Sequence, residues 1–360
     1  MRERAEVGFG RRAEARPAVA GATLIDDELA ARLLPARPVR GHKGTFGKLL
    51  VVAGSLDYAG AALLVCRGAG RAGAGLVTLA VPESLQPLFA AKVVEATTMG
   101  LPEADAEEVD PDRALARILD HEHDALVVGP GLRPGLATAA LVRALVSAAP
   151  ELDLASDPTR AEGAAGTPVV VDAEALRSLA AEDRWWDGIG RPCVLTPHPG
   201  EFARLRAAGG RDPADDGDLL ADDAARVAAA VEAARTWRQV VVLKGARTVV
   251  AAPDGATGIA EFENPALATG GTGDVLAGVV GALLAQGLAP FDAARLGVQL
   301  HGLAGDLVRE RFGDSGLLAS DLPDAIAVAR RRLAAVAEHN ADARVGFAAR
   351  RVPPDIASPG

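Results

Sequence analysis

From Lys48 onward the chain alternates short, nearly unbroken apolar runs with segments of helical length, a pattern that few folds satisfy. The runs Lys48–Ala53, Leu76–Val81, Ala125–Val128, Pro168–Val171, Cys193–Thr196 and Val240–Leu243 read as strands. Because they are apolar at successive rather than alternate positions, both faces of each strand must be buried. Gly60–Ala72, Leu136–Ala149, Glu201–Ala207 and Asp222–Trp237 read as the intervening helices. Strands alternating with helices at this spacing build an α/β chain, with helices on both sides of a mostly parallel sheet. After Lys244 the pattern changes to Thr248–Ala252, a turn at Pro253-Asp254-Gly255 and Thr257–Ala260, which predicts a hairpin at the sheet edge. Helices over Val275–Ala285, Phe291–Arg311 and Ser320–Ala335 close the pattern.

The core must be made of small aliphatic side chains, because apolar residues reach 49% while aromatic ones reach only 3%. A net charge of −10 without a long basic run argues against nucleic acid as a partner and for a small-molecule substrate. Cys66 and Cys193 are the only cysteines, too few for a disulfide framework, so reduced thiols and a cytoplasmic location are expected. Arg67 and Arg71 break the longest early apolar stretch, and no run is long enough for a bilayer. Residues 1–22 mix Arg and Glu with no apolar segment and read as a disordered tail rather than a secretory signal. One domain from 23 to 340 is the simplest division, with a surface insertion at about 151–166 and a loose tail over 341–360.

In an open parallel sheet, ligands collect beyond the carboxyl ends of the strands. The loops at those ends are Ala53-Gly54-Ser55, Gly129-Pro130-Gly131-Leu132, Asp172-Ala173-Glu174, Thr196 through Glu201, and Lys244-Gly245. The run Thr269-Gly270-Gly271-Thr272-Gly273-Asp274 opens directly into an apolar helix. Its glycines can turn backbone N–H groups toward one point, where the helix dipole is positive, and so form an anion hole. A carboxylate at the mouth of such a hole repels the anion unless it takes a proton from an attacking hydroxyl, which suggests phosphoryl transfer to an alcohol. The same residues would also serve as a plain helix cap.

Other segments carry weaker signals. His198, held between Pro197 and Pro199 and followed by Glu201, is either a substrate contact or a turn residue; its place at the ligand edge favours the first. Lys244-Gly245-Ala246-Arg247-Thr248 offers a cation, a flexible backbone and a hydroxyl to a nucleotide, or else forms an ordinary hairpin, and it is not a Walker loop. His42 through Lys48 reads as a flap whose Lys43 or Lys48 reaches an anionic ligand, or as a solvated basic turn. His301 is expected in a core or surface position rather than as a ligand. Gly68-Ala69-Gly70-Arg71-Ala72-Gly73 copies part of a dinucleotide fingerprint but falls inside a helix, where it predicts close helix–sheet packing. Neither a Gly-x-Ser-x-Gly elbow nor a His-Glu-x-x-His pair supports a hydrolase.

Taken in order, His42-Lys43-Gly44-Thr45-Phe46-Gly47, Ala53-Gly54-Ser55, Gly60-Ala61-Ala62, Arg71 through Val77, Gly129 through Leu132, Thr196 through Phe202, Lys244-Gly245 and Asn264 through Asp274 resemble the ADP/ATP-dependent NAD(P)H-hydrate dehydratase family. That family is a branch of the ribokinase-like superfamily, whose fold is a three-layer α/β/α sandwich. The resemblance covers about residues 25 to 335. It implies nucleotide-dependent dehydration of S-NADHX and S-NADPHX, with ADP the preferred donor and Mg²⁺ bridging phosphate oxygens. Asp274 would deprotonate the hydrate hydroxyl, while Gly271, Thr272 and Gly273 would stabilise the transferred group. Ala62, Gly131, His198 and Asp274 would line the hydrate pocket, and Lys244, Gly245, Ala246, Arg247, Thr248 and Gly273 would contact the nucleotide. Only about forty residues precede Gly41, too few for an epimerase domain, so a separate epimerase is expected, as is a homotetramer. A vitamin kinase of hydroxymethylpyrimidine or hydroxyethylthiazole type shares the same anion hole, and a non-catalytic nucleotide sensor is the alternative from another class.

Overall fold

All strands of the main sheet but one run in the same direction. The computed structural model describes residues 19–147, 166–212, 219 and 222–349. The strands are β1 (Thr23–Ile25), β2 (Lys48–Val52), β3 (Leu76–Pro82), β4 (Thr97–Leu101), β5 (Glu103–Asp105), β6 (Glu108–Val109), β7 (Ala125–Val128), β8 (Val169–Val171), β9 (Cys193–Leu195), β10 (Val240–Leu243), β11 (Val249–Ala251) and β12 (Thr257–Ala260). Ten of them form one sheet in the order β1-β12-β11-β10-β9-β8-β7-β2-β3-β4, and β5 pairs with β6 in a small separate hairpin. Only β11 is antiparallel to its neighbours in the large sheet.

The helices are α1 (Asp27–Leu33), α2 (Ala59–Ala72), α3 (Gln86–Ala90), α4 (Pro111–Leu119), α5 (Leu136–Ser147), α6 (Glu174–Leu179), α7 (Pro199–Ala207), α8 (Asp223–Trp237), α9 (Thr272–Ala285), α10 (Pro290–Phe312) and α11 (Leu322–Ala349). Aspartates set several of their starts: Asp26, Asp110 and Asp222 accept hydrogen bonds from first-turn N–H groups of α1, α4 and α8.

The continuous apolar strands feed two cores, one on each face of the sheet. In β2, Leu49 and Val51 pack with α2, α9 and α10, while Leu50 and Val52 pack with the α4, α5 and α8 side. Each such side chain removed from water stabilises the fold by about 1.5–3 kcal/mol. Helix α9 is apolar nearly all round because it lies between the sheet and helices α2 and α10.

Several expectations change in three dimensions. Of the glycines of 68–73, Gly68 serves helix–helix rather than helix–sheet packing: a Cβ on it would stand 2.7 Å from the Val275 carbonyl oxygen of α9, and one on Gly278 would stand 2.2 Å from that of Val65, whereas Gly70 faces open space. The β11–β12 hairpin is not the sheet edge, because β1 adds outside it in parallel register, Thr23 opposite Gly258. A three-residue strand is too short to carry a periodic signal. The Thr- and Gly-containing β4 forms the other edge. Helix α11 continues to Ala349, so the boundary expected at 341 falls within a helix. The expected insertion at 151–166 lies, except for Gly166, outside the described residues, as do residues 1–18 of the tail.

The flap correction matters most for function. Residues 43–46 form a 3-10 turn just before β2, at the amino ends of the strands. A Cβ on Gly47 would lie 2.0 Å from the Ala285 carbonyl oxygen, the last residue of α9, and Gly75 N–H bonds back to Phe46 and Gly47. Lys48 pairs with Glu122, and its backbone N–H donates to Asp124. Lys43 and Lys48 therefore stand a helix length, about 20 Å, from Asp274 at the other end of α9. They do not reach a ligand there.

Candidate active site

Helix α9 begins on Gly271, whose φ of 92° is open to glycine and strained for other residues. A Cβ there would also meet Leu64 Cδ1 at 2.7 Å. The first bond within the helix runs from Val275 N–H to the Gly271 carbonyl, so the N–H groups of Gly273 and Asp274 precede the ladder and point out of the helix end. The loop threonines face inward: Thr269 Oγ1 donates to the Ala266 carbonyl, and Thr272 Oγ1 donates to that of Leu267 at 2.8 Å. The Thr272 hydroxyl is therefore turned inward, and its N–H donates to the Thr269 carbonyl at 3.3 Å. Asn264 braces the same loop, accepting from Ala266 N–H and donating to Asp306 Oδ1 at 3.0 Å.

His301, expected to be a core or surface residue, comes to this helix end from α10. Its Nε2 lies 2.9 Å from the Thr272 carbonyl oxygen, which can only accept, so that nitrogen carries the proton. Enclosure pushes the imidazole down to about 4, and it is neutral at physiological pH.

Three loops at the carboxyl ends of neighbouring strands meet opposite Asp274. Lys244, ending β10, places Nζ 2.8 Å from Asp172 Oδ1, beyond β8, and 3.9 Å from Glu201 Oε2, in the first turn of α7. Burial lowers the lysine, but the two carboxylates more than offset it and hold it above its ordinary value. Asp274 moves the other way. Burial first, then the charges of Asp172 and Glu201, raise it from 3.8 to about 7, with Lys244 opposing. A carboxyl half-ionised near neutrality, beside a cation and two unpaired N–H groups, can accept a proton from a hydroxyl attacking a bound phosphoryl group.

Of the residues expected in the hydrate pocket, His198 is exposed and also caps α7. Its Nδ1 accepts from Gly200 N–H at 3.0 Å and Glu201 N–H at 3.3 Å, while Glu201 Oε2 accepts from His198 N–H at 2.9 Å. The structure shows the capping role, and Nε2, 3.6 Å from Glu201 Oε1, is the ring nitrogen the cap does not engage. Gly131 has φ 66°, and a Cβ there would strike the Tyr58 carbonyl oxygen at 2.6 Å. It joins the loop after β7 to the start of α2, and Gly54 N–H donates to Pro130 across the same junction. Ala62 is fully buried beneath Gly54 and presents no surface to a ligand.

In the expected nucleotide loop, Gly245 and Ala246 are exposed, whereas Arg247 is turned inward. Its guanidinium donates to Asp223 Oδ2 at 2.6 Å and its N–H to the Phe262 carbonyl, so its side chain supports the loop instead of reaching solvent. Thr248 Oγ1 donates to Gly245 O at 3.0 Å. Among the described residues no group of three or more His, Cys, Asp or Glu side chains is placed to hold a metal ion. Asp172 and Glu201 are already engaged with Lys244, so no protein cage for Mg²⁺ fits here. A cavity of about 30 Å³ beside Ser55 and Leu132, with room for water only, and a polar one of about 310 Å³ between Thr78 and His121 lie away from Asp274. No helix among the described residues is long and apolar enough to cross a membrane.

Asp172 and Glu201 are expected only as members of the ligand-edge loops, without a role of their own, and His301 as a core or surface residue; the structure makes all three functional candidates. A charged residue directly ending a buried strand, as Asp172 ends β8, was the available signal.

A family model described as NAD(P)H-hydrate dehydratase matches residues 49–327. The bifunctional NAD(P)H-hydrate repair enzyme Nnr of Moorella thermoacetica is 42% identical over 302 residues, covering 83% of this chain and 52% of its own length. The chain thus spans about half the length of that relative. The ADP-dependent (S)-NAD(P)H-hydrate dehydratase of Xanthomonas campestris pv. campestris is 37% identical over 84% of this chain and 93% of its own. Among solved structures, the ADP/ATP-dependent NAD(P)H-hydrate dehydratase of Bacillus subtilis, co-crystallised with ATP/Mg²⁺, is 30% identical with a TM-score of 0.69, covering 87% of this chain and 99% of that one.

Proposed function

The chain belongs to the NAD(P)H-hydrate dehydratase family and has its ribokinase-like three-layer α/β/α fold, and from that premise we propose that it dehydrates S-NADHX and S-NADPHX with ADP or ATP as phosphoryl donor. The observation that carries this reading is the Asp274 carboxyl, raised to about 7 at the amino end of α9 with Lys244 beside it. In the proposed reaction, Asp274 takes the proton of the hydrate hydroxyl. The freed oxygen attacks the terminal phosphorus of the nucleotide, whose bond to the bridging oxygen breaks. Backbone N–H groups of Gly273 and Asp274, the latter added to the expected set, and the Lys244 ammonium take up charge on the transferred group. Gly271 shapes the turn that exposes those donors. Loss of phosphate from the new ester, with a proton leaving the adjacent ring carbon to the solvent, then forms the ring double bond and restores the dihydropyridine.

The exposed backbone of Gly245 and Ala246 is the nucleotide's seat, and His198 Nε2 with the Gly131 loop faces the hydrate. Ala62 contributes only by letting Gly54 settle on it. Mg²⁺ accompanies the nucleotide's phosphates in this reading, and no step is routed through it. A cytoplasmic location, a homotetramer and a separate epimerase belong to the same reading. The test is absorbance at 340 nm after mixing protein, Mg²⁺ and S-NADHX with ADP or ATP. A nucleotide-dependent rise is expected; accumulation of a stable phosphate ester on an alcohol substrate, without that rise, would identify a vitamin kinase instead.

A further inference from the structure

Asp172 belongs to neither expected ligand set, yet it is the closest partner of Lys244, the only lysine at the site's centre among the described residues. We propose that Asp172 is a positioning residue for the reaction: from the end of β8 it holds the Lys244 ammonium against the first turn of α9, so that cation, backbone donors and Asp274 converge on one phosphoryl group. This rests on Asp274 acting as the base.

The geometry is specific. Asp172 is 2% exposed, and its Oδ1 lies 2.8 Å from Lys244 Nζ, against 3.9 Å for Glu201, whose carboxylate is shared with the His198 cap. On its other side, Nζ lies 3.4 Å from the Cβ position of Gly273. The lysine is thus fixed between one carboxylate and one helix end. The backbone that presents Asp172 is itself constrained. Ala173 has φ 51° and ψ −120°, a conformation costly for a residue with a side chain, and the Asp172 carbonyl oxygen lies 1.8 Å from where a Cβ on Gly129 would stand. Glycine at 129 lets the loops after β7 and β8 close on one another and aim the carboxylate toward β10.

Without Asp172, a long lysine side chain would keep several rotamers, and only part of that population would face the helix end. Asp172 also contributes charge. The charges acting on Asp274 are Asp172 after β8, Glu201 on α7 and Lys244 after β10, with the half-exposed His198 behind Glu201, while the neutral His301 of α10 meets the Thr272 carbonyl in the same turn. Both carboxylates raise Asp274 and Lys244 lowers it, so removal of the Asp172 charge makes Asp274 more acidic.

The experiment compares the full-length wild type with Asp172→Asn, which keeps the shape and removes the charge. Carboxyl-carbon NMR follows Asp274 without substrate, and steady-state turnover of S-NADHX with ADP is measured across pH. In Asp172→Asn, kcat should fall about tenfold, with the nucleotide KM changed less than about threefold. The Asp274 titration and the acidic limb of kcat should both move down by about one pH unit. A merely structural role would lower the folded fraction and leave both midpoints in place. Unmoved midpoints overturn the proposal, while an inactive Asp274→Asn variant keeps the base assignment. A moved NMR midpoint with an unmoved limb overturns the base assignment and this proposal with it. Should Asp172→Asn not fold, Lys244→Met supplies the mirror test, raising the Asp274 midpoint; no rise overturns the proposal.

Discussion

Lys244 Nζ lies 3.4 Å from the point at which a side chain on Gly273 would begin. A lysine and a helix end, both positive, face each other across a gap that a side chain on residue 273 would narrow. Such an arrangement is suited to a group carrying more than one negative charge.

Gly273→Ala should separate stability from activity. Alanine favours the helix over glycine by up to about 1 kcal/mol, so the melting temperature should hold or rise. The added methyl stands in van der Waals contact with an ammonium tied to Asp172 and takes up space between it and the helix end, and kcat should fall about tenfold. Unchanged kcat would place Lys244 outside the reaction.

Asp274→Asn should lower turnover by at least about 10²-fold and leave nucleotide affinity, measured by calorimetry, nearly unchanged. It should also stabilise the protein at neutral pH. The folded carboxyl, raised to about 7, binds a proton that the unfolded one, near 3.8, has lost, so native stability falls as pH rises through that window. The gain from asparagine is absent below pH 4 and complete above pH 7. It should amount to about 1–2 kcal/mol once screening of the partly exposed carboxyl is allowed for. Denaturation curves at pH 4 and pH 8 check the sign.

Gly47→Ala should damage the fold at the end remote from the site. At φ 82°, with the Ala285 carbonyl oxygen 2.0 Å from the new Cβ, the loss should be about 3 kcal/mol, read as a lower urea midpoint. Lys43→Ala, in the same segment, should change kcat/KM less than about twofold, because its charge is screened over the helix length. A large effect of Lys43→Ala on a single protomer's kinetics would contradict the placement of this segment.

His198→Ala should raise the hydrate KM more than the nucleotide KM and cost about 1 kcal/mol through the lost cap of α7. His198→Asn separates the two effects, since asparagine caps well and lacks the imidazole. Stability should return while the hydrate KM stays high. Equal changes in both KM values would remove His198 from the hydrate pocket.

Much of the architecture could be read from local pattern. Continuous apolarity marks β2, β7 and β10 as doubly buried, and Gly271 before Asp274 marks a helix start with open donors. Short or polar strands could not be read this way: three residues of β1 carry no periodicity, and Thr97–Leu101 of β4 lack an apolar run. Glu201 reads as the start of a helix and His301 as a core or surface residue, because their partners Lys244 and Thr272 lie on other elements.

The amino-acid sequence by itself determined where the chain is buried and where it must turn, because apolar runs and glycine conformations act over a few residues. Which loops share one space was decided by tertiary structure. The order β8-β9-β10 brings Asp172 to Lys244 across 72 residues, and the docking of α9 sets Asp274 beside them. The same docking carries His42–Gly47 to the opposite end of that helix. The raised Asp274 carboxyl follows from this convergence, since burial and neighbouring charge act through space and leave no local mark on the chain.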